Sequence, residues 1–292
     1  MLNEDKFAKL IYWIEEREHI REAKERGEPA PWTDNEILQQ YKFCNVCRRD
    51  DRVSAWLIEN VYKPNERHPL LWFMAVCARW INWPPAIQEL MEKGAWPNLW
   101  FDAERFGAVV DERVKRGEKA WTGAYMITAR TLPPGEGKGD WIARSTLQPL
   151  YERRVEFKHF FKQPSRTVYA AVQKFNGAFN FGSFMTHQVT SDWTYTPLLD
   201  KAADIMTYAG VGPGSSRGMN WLHDRAKDQI LHQNQFLEEL IELREKLIQE
   251  ISWVETVIDG QSLQSCLCEL DKYTRLENGG KVRAKYTPET RF

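Results

Sequence analysis

The sequence predicts an all-α or nearly all-α protein, and three observations support that fold class. Apolar residues recur at helical spacing along most of the chain, as Leu10, Trp13 and Ile14 do near its start. Helix start signals, and breaks at Pro or Gly, separate these segments. No repeat or low-complexity segment interrupts the pattern, and only residues 120–130 leave a short strand open as an alternative. We therefore expect a helical bundle.

The helices of the first part of the chain are predicted from periodicity and end signals. Gly27-Glu28-Pro29 ends the first helix, and the capping box Thr33-Asp34-Asn35-Glu36 starts the second. Pro64 ends the third, because the residue before a proline avoids helical geometry, and Pro84-Pro85 opens the fifth. The predicted ranges are 7–26, from 34, 50–62, 69–82, 84–94 and 102–116.

A glycine-rich loop at 132–140 divides the predicted helices. It lacks the GxxxxGK[ST] spacing of a nucleotide-binding P-loop, so a linker is the favoured interpretation. We expect one helical catalytic domain over 1–292, or two packed lobes at about 1–130 and 140–292. The later predicted helices are 141–161, 165–175, 181–193, 197–208, a broken 215–248, and 263–276, followed by a basic tail at 278–292.

Composition and charge exclude several classes of protein. The formal charge is −1, so the chain is no polycation, and nucleic acid would have to be held by a local basic patch. Five cysteines, an odd count, and the lack of a leading signal segment predict a reducing cytoplasm. No apolar run approaches the ~20 residues that cross a bilayer. Zinc is not expected, because Cys44-x-x-Cys47 has no second pair of matching ligands.

The most informative segment contains Asn45, Arg48 and Asp51, which recur every three residues. On a helix these side chains would share one face, which would be a poor core and a good polar site. A solvated charged face is the alternative. Flanking apolar residues such as Phe43 and Val46 favour a buried helix, and Arg48 presents a planar fork suited to phosphate.

A second segment, Gly210-Val211-Gly212-Pro213-Gly214, joins two predicted helices and resembles the hairpin of helix-hairpin-helix proteins. Its glycines would let backbone amides approach a phosphate, and the following helix would add a partial positive charge. We therefore expect contacts with the DNA backbone. The alternative is an ordinary connection with Gly as the helix cap. The expected DNA-backbone ligands are Gly210, Gly212, Gly214, Ser215 and Arg217.

Two further patterns carry polar side chains at helical spacing. Gln188 and Asp192 lie four residues apart, so they share a helix face; a glutamine can read a base edge and an aspartate can act as a base. A capping role for Asp192 is the competing interpretation. Glu269 and Lys272 lie three residues apart, which predicts a surface ion pair or a phosphate-binding rim.

These motifs together resemble the phage thymidine-hypermodification family, the α-glutamyl/putrescinyl thymine pyrophosphorylases or amino acid:DNA transferases. A related helical domain accompanies some 5-hydroxymethyluridine DNA kinases. The resemblance covers roughly residues 10–287 and implies a fold similar to helix-hairpin-helix DNA glycosylases. The matching motifs are Tyr41-x-Phe43-x-Asn45-x-x-Arg48-x-x-Asp51-Arg52, Phe184-x-x-x-Gln188-x-x-x-Asp192, Gly210-x-Gly212-Pro213-Gly214-Ser215-x-Arg217-Gly218 and Cys268-Glu269-x-Asp271-Lys272-Tyr273.

The resemblance implies a transferase that displaces pyrophosphate from 5-pyrophosphoryloxymethyluracil in DNA with an amine, commonly that of an amino acid such as glycine. The target base would be flipped out of the duplex. Aromatic residues such as Trp72, Trp80 and Trp193 would be candidates for stacking on it. The expected pyrophosphate ligands are Arg48, Arg52 and Lys272. The expected catalytic residues are Asn45, Asp51, Gln188 and Asp192, with Asp51 or Asp192 as the general base.

The implied partners are double-stranded DNA with modified thymine, an amine donor and an upstream hydroxymethyluracil DNA kinase, in the cytoplasm of an infected bacterium. No cofactor is required by the sequence, although Mg²⁺ would assist the departure of pyrophosphate. Two alternatives stay open. One is a helix-hairpin-helix DNA glycosylase that uses Asp192 for base excision. The other is a non-catalytic DNA-binding module that partners a DNA base kinase.

Overall fold

The computed structural model describes residues 1–122, 132–176 and 182–282, and these residues are helical with no β-strand. The predicted all-α fold is therefore confirmed for the described chain. Residues 125–128, where a strand was the alternative, lie outside the described residues. So does the tail from 283 onward, with Arg283, Lys285 and Arg291.

The α-helices of the described chain are, in order, α1 (Glu4–Glu25), α2 (Glu36–Gln40), α3 (Arg52–Leu57), α4 (Leu71–Ile81), α5 (Pro84–Glu92), α6 (Ala103–Lys115), α7 (Lys138–Ile142), α8 (Gln148–Glu152), α9 (Arg154–Phe160), α10 (Val168–Phe175), α11 (Ser183–Thr194), α12 (Pro213–Leu222), α13 (Gln233–Glu250), α14 (Val254–Val257) and α15 (Gly260–Glu277). Short 3₁₀ turns form at Arg48–Asp50 and Lys63–Asn65, and π-helical turns at Ile58–Tyr62 and Ala143–Leu147. None of these helices is both long enough and apolar enough to cross a bilayer.

The chain forms two compact units. The first contains Met1–Asp51 and the segment from Asp204 onward, with α1, α2 and α12 to α15. The second contains Arg52–Ala203, with α3 to α11. These units divide the chain at other positions than the predicted lobes, and the prediction of one catalytic domain stays a prediction.

The core of the first unit forms on the apolar face of α1. Asn3 caps this helix by accepting a hydrogen bond from the amide of Lys6, and Leu10, Trp13 and Ile14 are completely buried. The spacing of apolar residues that predicted a helix at 7–26 therefore also identifies the face of α1 that packs in the core. The other buried members of this core come from 38–46 and from α12 to α15; they include Leu38, Phe43, Val46, Met219, Phe236, Leu240, Leu263, Leu267 and Leu270.

Close packing of α12 against α15 is possible because two glycines face the partner helix. A Cβ added at Gly218 would lie 2.2 Å from the carbonyl oxygen of Leu267, and one added at Gly214 would lie 3.0 Å from Sγ of Cys268. Gly214 and Gly218 are one helical turn apart, so they form one smooth stripe. Gly214, expected to approach phosphate, therefore serves helix packing, and a DNA contact by its backbone stays a prediction.

Stacked aromatic rings form the core of the second unit. The rings of Trp72 and Phe157 lie parallel with centroids 4.4 Å apart, and Phe175 and Trp193 meet edge to face at 5.2 Å. The indole Nε1 of Trp193 donates to the carbonyl of Trp72 at 3.0 Å. Trp72, Trp80 and Trp193 are at most 4% exposed. These tryptophans are core residues, so their predicted stacking on a flipped base is not supported.

The helix predicted at 197–208 does not form, and successive turns replace it. A tertiary contact accompanies this change, because the guanidinium of Arg166 donates to the carbonyl of Leu198 at 2.5 Å and to that of Pro197 at 3.1 Å. These two carbonyls therefore accept hydrogen bonds from a side chain and not from the amides of a helix. The hairpin at Gly210 is consequently followed by a helix, α12, but is not preceded by one.

The glycine-rich loop at 132–140 already holds an anion from its own chain. Asp111 accepts hydrogen bonds from the amides of Gly139 at 2.7 Å and Asp140 at 2.9 Å, at the start of α7. A Cβ at Gly137 would lie 1.9 Å from Oδ2 of Asp111, so the glycine is needed for this approach. The carboxylate occupies the place where a phosphate would bind a P-loop.

From the α12–α15 contact we expect alanine to destabilise the protein more at Gly218 than at Gly214. Gly218→Ala should lower the free energy of unfolding by about 2 kcal/mol, because the new methyl group meets backbone that cannot move aside. Gly214→Ala should change it by less than about 1 kcal/mol, since the flexible Cys268 side chain can shift and alanine favours helix. Urea unfolding of both variants measures the difference. Equal stability of the two variants would contradict the close backbone contact.

Candidate functional site

Asn45, Arg48 and Asp51 do not share a helix face, because residues 42–47 are not helical. The amide of Asn45 donates to Oδ1 of Asp51 at 2.9 Å, and the side chain of Asn45 donates to the carbonyl of Asp50 at 2.8 Å. Such local bonds between side chains and backbone compete with a helix. The expected helix is therefore wrong here, and the segment is a tight polar loop.

A buried arginine fixes this loop from the side of α1. Arg17, 5% exposed, donates to the carbonyl of Cys44 at 3.2 Å and to Oδ1 of Asn45 at 3.2 Å. Both ends of the Asn45 amide are thus engaged within the protein. These bonds hold Asn45 in the loop, and its contact with a uracil edge stays a prediction.

The loop rests on α15. The amide of Arg48 donates to Oγ of Ser262 at 3.2 Å, in the first turn of the helix that Asp259 caps. Burial raises the pKa of Asp259, while its bonds to Ser262 and the nearby guanidinium of Arg48 act in the opposite direction. Farther along α15, Glu269 accepts from the amide of Cys44 at 3.4 Å. The first and last sequence motifs therefore meet in the first unit.

Lys272 lies at the same place as the loop. Its ammonium donates to Oε2 of Glu269 at 2.8 Å and to the carbonyl of Lys42, and it lies 4.2 Å from the ring centroid of Phe43. The side chains of Lys272 and Glu269 are only 16% and 14% exposed. The pair is therefore no ordinary surface ion pair, since little of it is screened by water.

The thiols beside this cluster are held in the neutral form. Burial raises the pKa of Cys44 well above its usual value, with a smaller contribution from Asp51, and burial raises the pKa of Cys268 to about 12. A thiol nucleophile is therefore not favoured here. Among the residues that the structure describes, no group of three or more His, Cys, Asp or Glu side chains has an arrangement suited to a metal ion.

The third motif also packs on α15, through α12. Ser215 accepts from the amide of Gly212 at 3.0 Å and from Nε2 of Gln264 at 3.1 Å, so the Gly212 amide is used inside the turn. Arg217 donates to Oδ2 of the buried Asp271 at 2.9 Å, with its side chain 38% exposed. The turn is thus fixed by its own residues, and Gly210 in it is buried.

Asp192 lies in the second unit, at the centre of a buried ion pair. It is completely buried, and the guanidinium of Arg79, 2% exposed, donates to both of its carboxylate oxygens at 2.5 Å. The hydroxyl of Tyr62 donates to Oδ2 at 2.5 Å. Burial, and secondarily this carboxylate, raise the pKa of Tyr62 well above its usual value. Arg79 also donates to Ser54 at 2.8 Å, which completes the network.

This geometry disfavours a general base at Asp192, because neither oxygen faces solvent and both accept short charge-assisted bonds. The burial of Asp192 and its bonds to Arg79 and Tyr62 instead support a structural role in the core, which differs from the capping role that the sequence offered as the alternative. Gln188, one turn earlier on α11, is 7% exposed. His187 beside it donates from Nδ1 to the carbonyl of Ser183 at 2.6 Å, and burial lowers its pKa, so its imidazole is neutral at pH 7.

The predicted site residues thus fall into two groups that are described separately. The first unit brings together Asn45, Arg48, Asp51 and Lys272 around α15, and it holds the hairpin residues at Gly210, Gly212, Gly214, Ser215 and Arg217. The second unit contains Arg52, Gln188 and Asp192. Sequence reasoning missed the partners of these residues, namely Arg17, Ser262, Gln264, Arg79 and Tyr62, and it treated Glu269 as a surface residue.

Comparison with known proteins identifies the family of this chain. Residues 4–282 match the family described as the helical domain of the 5-hmdU DNA kinase. A 5-hmdU DNA kinase of Bacillus phage SP10 is 24% identical over 214 residues, which is 68% of this chain and 33% of the phage protein. The chain therefore spans about a third of the length of this relative. No solved structure matches the chain.

The buried ion pair predicts that Asp192 substitutions act on stability. Asp192→Ala should lower the free energy of unfolding by about 3–5 kcal/mol, because the guanidinium of Arg79 loses its counter-charge in the core. The double variant Arg79→Met with Asp192→Leu should be more stable than Asp192→Ala alone, since no lone charge is left. Urea unfolding of the three proteins is the measurement. An Asp192→Ala protein as stable as the parent would contradict this role.

Proposed function

The chain belongs to the family of 5-hmdU DNA kinase helical domains, and on that premise we propose that it is an amino acid:DNA transferase of thymine hypermodification. In the proposed reaction, the nitrogen of an amine attacks the 5-methylene carbon of 5-pyrophosphoryloxymethyluracil in DNA. The new C–N bond replaces the C–O bond, inorganic pyrophosphate leaves, and the attacking ammonium group loses a proton before or during attack. The glycine-like donor follows the resemblance of the motifs.

One observation carries this proposal: the polar loop and α15 place cations and carboxylates side by side in the first unit. Arg48 and Lys272 supply positive charge, and Asp51 and Glu269 supply carboxylates, within two segments that bond to each other. Departure of pyrophosphate requires positive charge, and loss of the ammonium proton requires a base. The cluster contains both kinds of group.

Within this cluster we assign the general base to Asp51, with Glu269 as the other candidate carboxylate. Asp51 is partly buried and its Oδ1 is held by the amide of Asn45. The carboxylate is therefore held in a fixed position within the loop. Glu269 instead pairs with Lys272, which orients the ammonium. We assign Arg48 and Lys272 to pyrophosphate, and Mg²⁺ would assist if it binds with the substrate. The pyrophosphate contact expected of Arg52, in the second unit, stays a prediction.

The remaining assignments concern the DNA. We propose that the target nucleotide is flipped out of the duplex, so that the amine, the base catalyst and the pyrophosphate ligands can surround its 5-methylene group. The Gly210–Arg217 turn of the first unit is the candidate for contact with the backbone. The contact expected between Gln188, in the second unit, and a uracil edge stays a prediction. The setting we propose is the cytoplasm of an infected bacterium, where a DNA kinase supplies the phosphorylated base.

A second function is favoured by the comparison with the phage kinase. Since the match covers only a third of that relative, and the family model that matches this chain is described as a helical domain, the chain could present DNA to a separate kinase without catalysing transfer. In that case the first unit would bind DNA, but the purified protein would leave the modified base unchanged. The two proposals therefore differ in whether the purified protein forms an aminated nucleoside.

The decisive test supplies the proposed substrates. The protein is incubated with duplex DNA that carries 5-pyrophosphoryloxymethyluracil and with a mixture of amino acids and polyamines, and the nucleosides are then identified by mass. We expect a nucleoside enlarged by one amine, together with release of inorganic pyrophosphate. DNA that binds but stays unmodified would favour the presenting role, and an abasic site would indicate glycosylase chemistry.

The two roles of Asp51 can be separated with a matched pair of variants. Asp51→Asn keeps an oxygen that accepts from the Asn45 amide but cannot take a proton, so transfer should fall by a factor of about 10² or more with little loss of stability. Asp51→Ala removes the acceptor as well and should also destabilise the loop, by about 1–2 kcal/mol. Single-turnover rates and urea unfolding report the two effects. Full transfer activity in Asp51→Asn would remove this carboxylate from the role of base.

A further inference from the structure

We infer that the loop at 227–231, which follows α12, binds one strand of duplex DNA together with the Gly212–Arg217 turn. This inference rests on the proposed function for its ligand, but it concerns residues that none of the sequence motifs contains. The two segments line a groove of about 460 Å³ in the first unit. The lining residues are Val211, Gly212, Pro213, Ser216, Arg217, Lys227, Asp228, Gln229, Ile230 and Leu231.

Partly buried hydrogen bonds support both walls of the groove. Asn220 is completely buried and donates from Nδ2 to the carbonyl of Gln229 at 2.8 Å, which fixes the 227–231 loop on α12. Gln233 accepts from the amide of Val211 at 2.9 Å and donates to the carbonyl of Ala209 at 2.8 Å. The two walls are therefore positioned before any ligand arrives, which lowers the entropic cost of binding.

The surface of the groove has charged and apolar residues, which match the phosphates and the sugars of a DNA strand. Lys227 is exposed, and it forms no ion pair with the residues that the structure describes. Arg217 lies on the opposite wall, and Asp228 is the single acidic residue of the lining. Arg217 and Arg275 share the buried carboxylate of Asp271. With Lys227 and Asp228 counted as well, this part of the surface has one positive charge in excess, which suits contact with a phosphate.

Ile230 supplies the apolar half of this surface. Its side chain is 75% exposed although its neighbours are anchored, because Asn220 holds Gln229 and Leu231 is only 5% exposed in the core. An apolar side chain that is held in water beside a lysine suits contact with a deoxyribose face or insertion at a base step. The proposed function makes DNA the ligand of this unit, and a cation beside an exposed apolar side chain suits its phosphates and sugars, so we assign DNA.

The test measures binding of a labelled duplex over a series of salt concentrations. Lys227→Ala should weaken binding and reduce the slope of log affinity against log salt by about 0.9, since one phosphate contact is lost. Ile230→Ala should weaken binding by about tenfold with an unchanged slope, because apolar contact releases no counterions. This difference in slope distinguishes the two kinds of contact.

Matched controls come from exposed residues of the second unit. Lys201→Ala removes an exposed lysine outside the groove, and Val155→Ala shortens an apolar side chain that is 73% exposed. Both should bind DNA like the parent protein. If the groove variants also bind like the parent, the groove is excluded while the proposed function stands. If the parent itself has no affinity for duplex DNA, the proposed function fails.

Discussion

The contact between α12 and α15 is the constraint on which the first unit depends. Gly218 brings the two backbones so close that a single added methyl group would meet the carbonyl of Leu267. The approach fixes the position of α12 relative to α15, and α15 in turn carries Ser262, Glu269 and Lys272, against which the 44–51 loop bonds. Three of the four sequence motifs therefore pack on or lie in α15. The spacing of Glu269 and Lys272 along this helix sets the distance between the carboxylate and the ammonium group.

The second unit shows how residues of a catalytic type can serve stability. Asp192 has the residue type of a general base, but its two oxygens are already bonded to Arg79 and Tyr62 in the core. A buried ion pair contributes little net stability when intact and costs much when one partner is removed. Substitution at Asp192 would thus abolish activity through unfolding as effectively as through chemistry, so loss of activity alone cannot identify a base in this protein.

Periodicity predicted the helices well, because a long amphipathic segment has few alternatives. The helix predicted at 7–26 forms at Glu4–Glu25, and the apolar segment at 69–82 forms Leu71–Ile81. The site was less predictable. A spacing of three between Asn45, Arg48 and Asp51 is compatible with a helix, yet Asn45 bonds to Asp51 and Asp50 instead. Tertiary partners decide such cases, and the partner of Asp192 lies 113 positions away in the sequence.

The central claim, that modified thymine is processed where the 44–51 loop meets α15, is tested most directly by photo-cross-linking. Duplex DNA with 5-iodouracil at the target position is bound to the full chain, irradiated, and digested, and the labelled peptides are identified by mass. The account predicts labels within 41–52 and 262–273. Labels confined to helices α5 and α6 of the second unit, with none on the loop or on α15, would contradict it.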